Sequence, residues 1–127
     1  MKKAVSTAQA PKAIGLYSQG IQVGDFVFCS GQVHLDPATG QLVEGDIAAK
    51  TRRCLDNLSA VLAEAGLTLA DAVKTTVFLK DIGQFAAMNE AYAAYFPGVP
   101  PARSAVQVAA LPRGADVEIE LIAYKGK

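Results

Sequence analysis

The side chains best suited to chemistry in this 127-residue sequence are one arginine and one of two glutamates that share a predicted strand. Arg103 follows two prolines in the stretch PPARSAVQV and stands at the start of a predicted strand, with the small residues Ser104 and Ala105 beside it. Such an arginine is either a surface residue, often half of a salt bridge, or the base of a pocket whose guanidinium grips a planar carboxylate. The residues alone leave both interpretations open.

The two glutamates, Glu118 and Glu120, lie in the stretch DVEIELIAY. Strand alternation places them on one face together with Ile122 and Tyr124. One interpretation is a pair of acids on a solvated face. The apolar residues that follow on that face favour another, in which burial begins near Glu120 and its carboxylate, beside an arginine, acts as a general base or positions water.

Other candidate site residues lie in a loop, at a strand end and on a helix. Tyr17 stands in a loop between glycines and is either a packing residue or a ligand contact. Ser30 and Gly31, at the end of a strand, either form a turn or offer a hydroxyl and a backbone amide. Asn89 lies on the second predicted helix and is either a solvated residue or a ligand contact.

The sequence lacks the motifs of the common cofactor-binding and catalytic classes, namely GxGxxG, the Walker loop, HExxH and GxSxG. Cys29, Cys54 and the single histidine, His34, have no metal-ligand spacing. We therefore expect no metal site, disulfide framework or catalytic triad, and we interpret all three residues as structural. Two buried free thiols also suit a reducing compartment.

Composition and charge exclude several classes of partner. Twelve basic and twelve acidic residues give zero net charge, whereas nucleic-acid and anionic-membrane binding need a concentrated basic surface. The N-terminal residues resemble neither a secretory signal nor an anchor, and no segment approaches the ~20 apolar residues that span a bilayer. We expect a soluble, cytoplasmic protein with one domain over residues 1–127 and a small-molecule partner.

Hydrophobic periodicity predicts the element order βββ-α-β-α-ββ after an irregular N-terminal stretch. The first strands are Ile21–Val23 and Phe26–Ser30, joined at Gly24-Asp25, and a turn at 36–41 joins Val33–Leu35 to Leu42–Val43. The next elements are a helix capped by Asp46 and ended by Gly66, the strand Val73–Leu79, a helix with Phe85, Met88, Tyr92 and Phe96 along one stripe, and strands at about Arg103–Ala109 and Val117–Lys125.

This order is typical of the α+β class. Several strands are apolar on both faces, because Phe26 and Phe28 alternate with Val27 and Cys29. Two helices cover only one face of a sheet, and the chain has no further element for the other. We therefore expect self-association, which also creates ligand clefts between subunits.

Six segments occur in order over nearly the whole chain: AIGLYSQG, FVFCSGQV, TRRCLDNLSAVLAEAGLTLADAVKTTVFLKD, FAAMNEAYAAYF, PPARSAVQVAALP and VEIELIA. In these segments the chain resembles the RidA (YjgF) family of reactive-intermediate imine/enamine deaminases. The most specific part is P-A-R-S followed, after an L-P turn, by V-E-I-E. The resemblance implies a chorismate-mutase-like α+β domain with a mixed sheet and two helices on one face, assembled as a homotrimer with clefts between subunits.

The resemblance also implies an activity, that of a 2-iminobutanoate/2-iminopropanoate deaminase. Such an enzyme hydrolyses 2-imino acids and their 2-aminoacrylate-type enamine tautomers to 2-oxo acids and ammonia, without metal or cofactor. Pyridoxal-phosphate-dependent serine and threonine dehydratases release these substrates. By this resemblance Arg103 binds the substrate carboxylate, Glu120 orients or activates water, and the cleft is lined by Tyr17 of a neighbouring subunit and by Ser30, Gly31 and Asn89.

Two positions depart from the family pattern. Ala105 stands where many members have a cysteine, so its part in the site is expected to come from backbone groups, and thiol-based regulation there is excluded. Leu16 stands where a proline usually precedes the tyrosine. Either change is expected to alter the shape of the cleft and the substrate preference.

Two other functions remain as alternatives. One is a non-catalytic regulatory trimer that uses the same arginine to bind a small 2-oxo acid. The other is an RNA-cleaving translation inhibitor, which the zero net charge disfavours.

Overall fold

The structure is a computed structural model that describes residues 1–126. Over these residues it contains six strands and two α-helices. In chain order they are β1 (Lys3–Val5), β2 (Gly20–Val23), β3 (Phe26–Val33), α1 (Ile47–Glu64), β4 (Ala72–Leu79), α2 (Phe85–Ala93), β5 (Ala102–Gln107) and β6 (Val117–Tyr124). Short 3₁₀ turns at Leu69–Asp71, Ile82–Gln84 and Pro112–Gly114 precede β4, α2 and β6. The expected α+β class is confirmed.

The strands form one mixed sheet in the order β1-β2-β3-β6-β4-β5. Neighbouring strands are antiparallel except for β4 and β5, which are parallel and connected through α2. β5 is therefore an edge strand, and one side of its backbone has no neighbouring strand within residues 1–126.

Both helices pack on the same face of the sheet, as expected, and the hydrophobic core lies between them and that face. The boundaries of α1 follow local chemistry. Asp46 Oδ1 accepts a hydrogen bond from the Ala49 amide at 2.9 Å. Gly66, just past the end of the helix, has a φ of 80°, a left-handed conformation that favours glycine. The core is built from buried residues that include Val27, Cys54, Leu55, Leu58, Val61, Leu62, Val117, Ile119 and Leu121.

The opposite face of the sheet is also apolar but uncovered in a single chain. Phe26, Phe28 and Tyr124 are each 42–43% exposed, and the Phe26 and Tyr124 ring centroids lie 5.1 Å apart. The prediction that these strands are apolar on both faces is confirmed.

The structure corrects the expected strands at the N-terminal side. The stretch expected to be irregular contains β1, whose Val5 is buried and which pairs with β2. The third expected strand is not separate, because β3 continues to Val33 and beyond it only Leu35 and Leu42 form an isolated bridge. The expected order βββ-α-β-α-ββ therefore holds, but its first three strands are β1, β2 and β3 rather than the three that were expected.

Boundaries elsewhere differ by a few residues. Phe96 lies beyond the end of α2, and β5 ends at Gln107, two residues before the predicted end at Ala109. No helix within residues 1–126 is long and apolar enough to cross a membrane.

The cysteines and the histidine are buried, as expected of structural residues. Cys29 and Cys54 are free thiols, and burial raises the pKa of Cys29 to about 12. The Asp116 amide donates a hydrogen bond to Nε2 of His34 at 3.1 Å. The ring proton is therefore on Nδ1, which donates to the Val43 carbonyl at 3.1 Å. Burial lowers the pKa of His34, so the ring is held neutral.

Candidate functional site

The guanidinium of Arg103 lies between two aromatic rings on the helix-covered side of the sheet. Its Cζ is 4.8 Å from the ring centroid of Tyr92 and 5.3 Å from that of Phe85. Its Nη1 donates to Oδ1 of Asn89 at 2.7 Å. Both cation–π contacts and the hydrogen bond restrict the orientation of the planar guanidinium.

These three contacts come from one stripe of α2. Phe85, Asn89 and Tyr92 are separated by four and three residues, so they project from the same side of the helix. Because α2 connects the parallel strands β4 and β5, this stripe lies over Arg103 near the start of β5. Asp81 begins the turn before the helix by accepting from the Gly83 amide at 2.8 Å.

The ring of Tyr92 is in turn held by the sheet. Its hydroxyl and Oγ1 of Thr75, a fully buried residue of β4, are hydrogen-bonded at 2.6 Å. Burial raises the pKa of the Tyr92 phenol, against smaller lowering effects of Thr75 and Arg103. The phenol therefore stays neutral, and the hydrogen bond fixes the ring that Arg103 contacts.

Arg103 is partly buried and has no acidic partner among residues 1–126, where the one ion pair joins Lys50 to Asp116. A cation that is partly removed from water is stabilised by an anion with matching geometry. A carboxylate matches the guanidinium fork, because two parallel hydrogen bonds form at once. The surroundings of Arg103 therefore suit a carboxylate ligand better than a surface salt bridge.

A second group of expected site residues lines a cavity of about 780 Å³ beside the N-terminal loop. Tyr17, Ser30, Gly31 and Glu120 all contribute to its wall, and so does Glu118. Tyr17 is 53% exposed, and it also borders a neighbouring cavity of about 630 Å³ that is lined mostly by small side chains.

Ser30 contributes to this wall with its hydrogen-bond donors already engaged. Its hydroxyl donates to the Ser18 carbonyl at 2.6 Å, and its amide donates to the Gln19 carbonyl at 3.0 Å. Ser30 therefore holds the loop that carries Tyr17, and only lone pairs of its hydroxyl oxygen remain for a ligand.

Gly31 lies at a β-bulge, where the register of β3 against β6 shifts between Cys29 and Gln32. The carboxyl group of Glu118 occupies the space beside Gly31 that a side chain would fill. A Cβ added to Gly31 would overlap that group, with the Glu118 Cδ only 2.8 Å away. Burial, and secondarily the charge of Glu120, raises the pKa of Glu118. Along β6 it is thus Glu118 that is half-buried, whereas Glu120, where burial was expected to begin, is exposed in a single chain.

Within a single chain, Arg103 with its contacts on α2 and the residues that line the cavity beside Tyr17 lie on different sides of the sheet. Arg103 is in register with Thr75 and therefore lies on the helix-covered side. Glu120 is in register with Thr76, the next residue of β4, and therefore lies on the other side. Asn89 contacts Arg103. Glu120 lines a cavity together with Tyr17, Ser30 and Gly31.

Ala105 lies with Arg103 on the helix-covered side, in register with Val77 and partly buried against the core. Its methyl group points inward. Any contribution to a site at this edge of the sheet would therefore come from its backbone.

Three residues of this arrangement were not among the expected site residues. Phe85 and Tyr92 were assigned to a packing stripe with Met88 and Phe96. Asn89, four residues after Phe85, was the polar residue that could have indicated a contact with a charged group on this side of α2. Glu118 shares a face with Glu120, but its burial depends on the bulge at Gly31, which no local pattern indicates.

Comparison with known proteins identifies relatives over the full chain. Residues 7–125 match the model of the family described as Endoribonuclease L-PSP. The chain is 55% identical over 124 residues to the protein DfrA of Myxococcus xanthus, covering 96% of this chain and 95% of that protein. It is 51% identical over 126 residues to a protein of Mus musculus named 2-iminobutanoate/2-iminopropanoate deaminase, covering 99% and 93%.

The fold is also that of a solved structure. A member of the conserved Rid protein family from Yersinia pestis superposes with a TM-score of 0.95 at 49% sequence identity. The match covers 98% of this chain and 99% of that one.

Proposed function

This chain belongs to the Endoribonuclease L-PSP family, which includes the RidA/YjgF proteins, and from this premise we propose that it is a 2-iminobutanoate/2-iminopropanoate deaminase. The proposed reaction is the hydrolysis of 2-imino acids, and of their 2-aminoacrylate-type enamine tautomers, to 2-oxo acids and ammonia. The name of the activity comes from the mouse relative and others of similar identity.

The observation that carries this proposal is that Arg103 is held in a fixed orientation without a carboxylate partner among residues 1–126. Its guanidinium is oriented by Phe85, Tyr92 and Asn89, and no carboxylate within residues 1–126 pairs with it. Every substrate of the proposed reaction has a carboxylate next to the imine carbon. Binding that carboxylate through two hydrogen bonds would fix the position of the imine carbon relative to the protein.

We further propose that the site is completed between two subunits of a homotrimer. Arg103 and Glu120 lie on opposite sides of the sheet, so within one chain the residue that would bind the carboxylate and the residue that would activate water do not face the same ligand. The uncovered apolar face around Phe26, Phe28 and Tyr124 supports association. In such an assembly Arg103 of one subunit, with Asn89 and the backbone of Ala105, meets Tyr17, Ser30, Gly31 and Glu120 of its neighbour.

The chemistry needs little more than this arrangement. The carbon of a protonated imine is electrophilic, so we propose that water attacks it without a metal, a cofactor or a covalent nucleophile. Glu120 would accept a proton from the water as its oxygen bonds to the carbon, and would return it to the nitrogen as ammonia departs. Positioning of the imine and the water supplies much of the rate.

The proposed substrates are products of another class of reaction, one that releases reactive enamines. Pyridoxal-phosphate-dependent serine and threonine dehydratases eliminate water from hydroxy amino acids and so form such compounds. We propose that the protein removes these products in the cytoplasm, a reducing compartment in which the buried thiols of Cys29 and Cys54 would remain free.

The family description also names an endoribonuclease, which is not the function we favour. Equal numbers of basic and acidic residues give this chain no excess of positive charge for a phosphate backbone. A regulatory protein that binds a 2-oxo acid without catalysis would use Arg103 in the same way, and the test below separates it from an enzyme.

The test is to mix the purified protein with a serine or threonine dehydratase and follow the transient imine in the ultraviolet. The proposed function predicts a faster decay of the imine than in buffer, with 2-oxo acid and ammonia formed in equal amounts. Binding of 2-oxobutanoate with no acceleration of imine loss would support the regulatory alternative instead.

A further inference from the structure

Strand β6 presents two carboxyl groups to one cavity, and the proposed reaction has so far used only one of them. Glu118 and Glu120 are two residues apart on a strand, so both project from the same face, and both line the cavity beside Tyr17. They differ in their surroundings: Glu120 is exposed, whereas Glu118 is half-buried with its carboxyl group packed on Gly31.

Glu118 takes part in no ion pair within residues 1–126. No backbone or side-chain donor within residues 1–126 hydrogen-bonds to its carboxyl group. Glu120 on the same strand repels its negative charge. On α1, burial and secondarily the charge of Glu118 raise the pKa of the Cys54 thiol. From the loops Lys12, Arg113 and Tyr17 line the same cavity as Glu118.

Of the two loop cations, Arg113 donates from its Nη2 to the Gly40 carbonyl at 3.1 Å, and Lys12 forms no ion pair within residues 1–126. Burial, and secondarily the negative charge of Glu120, raises the pKa of Glu118 above its ordinary value. A half-buried carboxyl group that lies beside an exposed one in the same cavity is suited to act as an acid while its neighbour acts as a base.

We propose that Glu118 is the proton donor of the site and Glu120 its base, an assignment that rests on the proposed imine hydrolysis. An imine needs such a donor, because its carbon becomes strongly electrophilic only when the nitrogen carries a second proton. An arginine guanidinium does not release its proton in the pH range of proteins, so the donor must be another group.

The protons balance over one turnover. Glu118 transfers its proton to the imine nitrogen; water then adds to the carbon, its proton passes to Glu120, and the carbon–nitrogen π pair becomes a lone pair on nitrogen. Glu120 next returns that proton to the amine, and the carbon–nitrogen bond breaks with its electron pair leaving on ammonia. The remaining hydroxyl loses its proton to Glu118 as the carbonyl forms, which restores both carboxyl groups to their starting states.

The test compares Glu118→Gln with the unmodified protein in the coupled dehydratase assay from pH 6 to pH 9. The dehydratase is kept in excess, and the uncatalysed decay is subtracted at each pH. Glutamine has the shape of the protonated acid but has no proton to transfer. In the unmodified protein we expect kcat to decline at high pH, because Glu118 loses the proton that it donates. In Glu118→Gln we expect kcat to fall on the order of 10²-fold or more with KM within a few-fold, and this decline at high pH to disappear.

Two further variants make the result decisive. Glu118→Asp keeps a carboxylic acid and is expected to recover part of kcat together with the high-pH decline, which a purely structural role for Glu118 would not produce. Glu64→Gln, the same change at an exposed carboxylate near the end of α1, is expected to leave kcat and the pH profile unchanged.

An active Glu118→Gln protein with unchanged kcat and an unchanged high-pH decline would overturn the role of Glu118 while leaving the deaminase function in place. An unmodified protein that does not accelerate imine loss at any pH would instead overturn the deaminase function itself.

Discussion

Arg103 and Glu120 project from opposite faces of the same sheet. Arg103 is in register with Thr75 and Glu120 with Thr76, and consecutive residues of β4 point to opposite sides. The two side chains of one chain therefore point away from each other, on opposite sides of the sheet. This separation makes an arrangement between subunits the simplest one that uses both residues.

Replacement of Arg103 by lysine tests whether the guanidinium fork, rather than positive charge, binds the substrate. Lysine keeps the charge but cannot form two parallel hydrogen bonds to a carboxylate. We expect Arg103→Lys to lower kcat/KM about 10- to 100-fold, since hydrogen bonds to charged groups contribute roughly 1.5–3 kcal/mol. The coupled dehydratase assay measures the change.

The matched control is Arg52→Lys, at an exposed position on α1, which we expect to retain full activity. Full activity in Arg103→Lys would show that the fork is not needed.

Tyr92→Phe removes the hydroxyl that joins α2 to the sheet and leaves Thr75 Oγ1 buried without its partner. We expect the free energy of unfolding to fall by about 1–3 kcal/mol, the usual effect of leaving a buried polar group unsatisfied. Chemical denaturation followed by circular dichroism measures this change. Tyr95→Phe is the control, because the Tyr95 hydroxyl bonds to Asp56 at the surface, and its loss should cost less than about 1 kcal/mol. Equal effects of the two substitutions would refute a special role for the Thr75 contact.

Local features of the sequence were sufficient for α1. An aspartate that caps the helix, a regular apolar face and a glycine just past the end all act within a few residues of the boundary they determine. The apolar character of both sheet faces was equally local, because alternation along one strand already shows it. Lys3–Val5 was missed because three residues are too few to show alternation.

Gly31→Ala tests the close contact with Glu118. The added methyl group would overlap the carboxyl group, so the side chain or the bulge must shift. We expect a loss of about 1–3 kcal/mol in unfolding free energy, typical of overpacking. In a Glu118→Ala background the obstacle is gone, and the same substitution should cost much less. If Gly31→Ala costs the same in both backgrounds, the overlap is not the cause.

His34 predicts a specific dependence of stability on pH. Its pKa is lowered in the folded protein, so the unfolded chain takes up this proton first as pH falls. The stabilising contribution is therefore complete above the unfolded pKa of about 6.5 and declines below it, at no more than about 1.4 kcal/mol per pH unit.

Urea unfolding between pH 7.5 and pH 5 measures this slope. His34→Gln retains an acceptor for the Asp116 amide but does not titrate, and we expect a shallower slope in that variant. The same slope in both proteins would show that other groups are responsible. Asp116, whose pKa is lowered mainly by its hydrogen bond to Lys50, makes its own contribution, but at lower pH, near and below the ordinary pKa of aspartate.

The candidate site was only partly predictable, and the reason is that its geometry is not local. Arg103 and Glu120 could each be selected from their immediate neighbours, but their placement on opposite faces depends on the register of β4 with two other strands. The contact between Gly31 and Glu118 likewise depends on a bulge that exists only when β3 and β6 pair. Phe85 and Tyr92 were placed on one stripe of α2 from their spacing, whereas their contact with Arg103 depends on the connection from β4 to β5.

The most direct test of a site shared between subunits is complementation of two inactive variants, Arg103→Ala and Glu120→Gln. The proteins are unfolded together in equal amounts, refolded, and tested for imine hydrolysis against each variant refolded alone. If Arg103 and Glu120 come from different subunits, about one quarter of the sites in randomly mixed trimers contain both native residues, and the mixture should regain about that fraction of the unmodified activity. A mixture that forms mixed trimers yet remains as inactive as the separate variants would contradict the account.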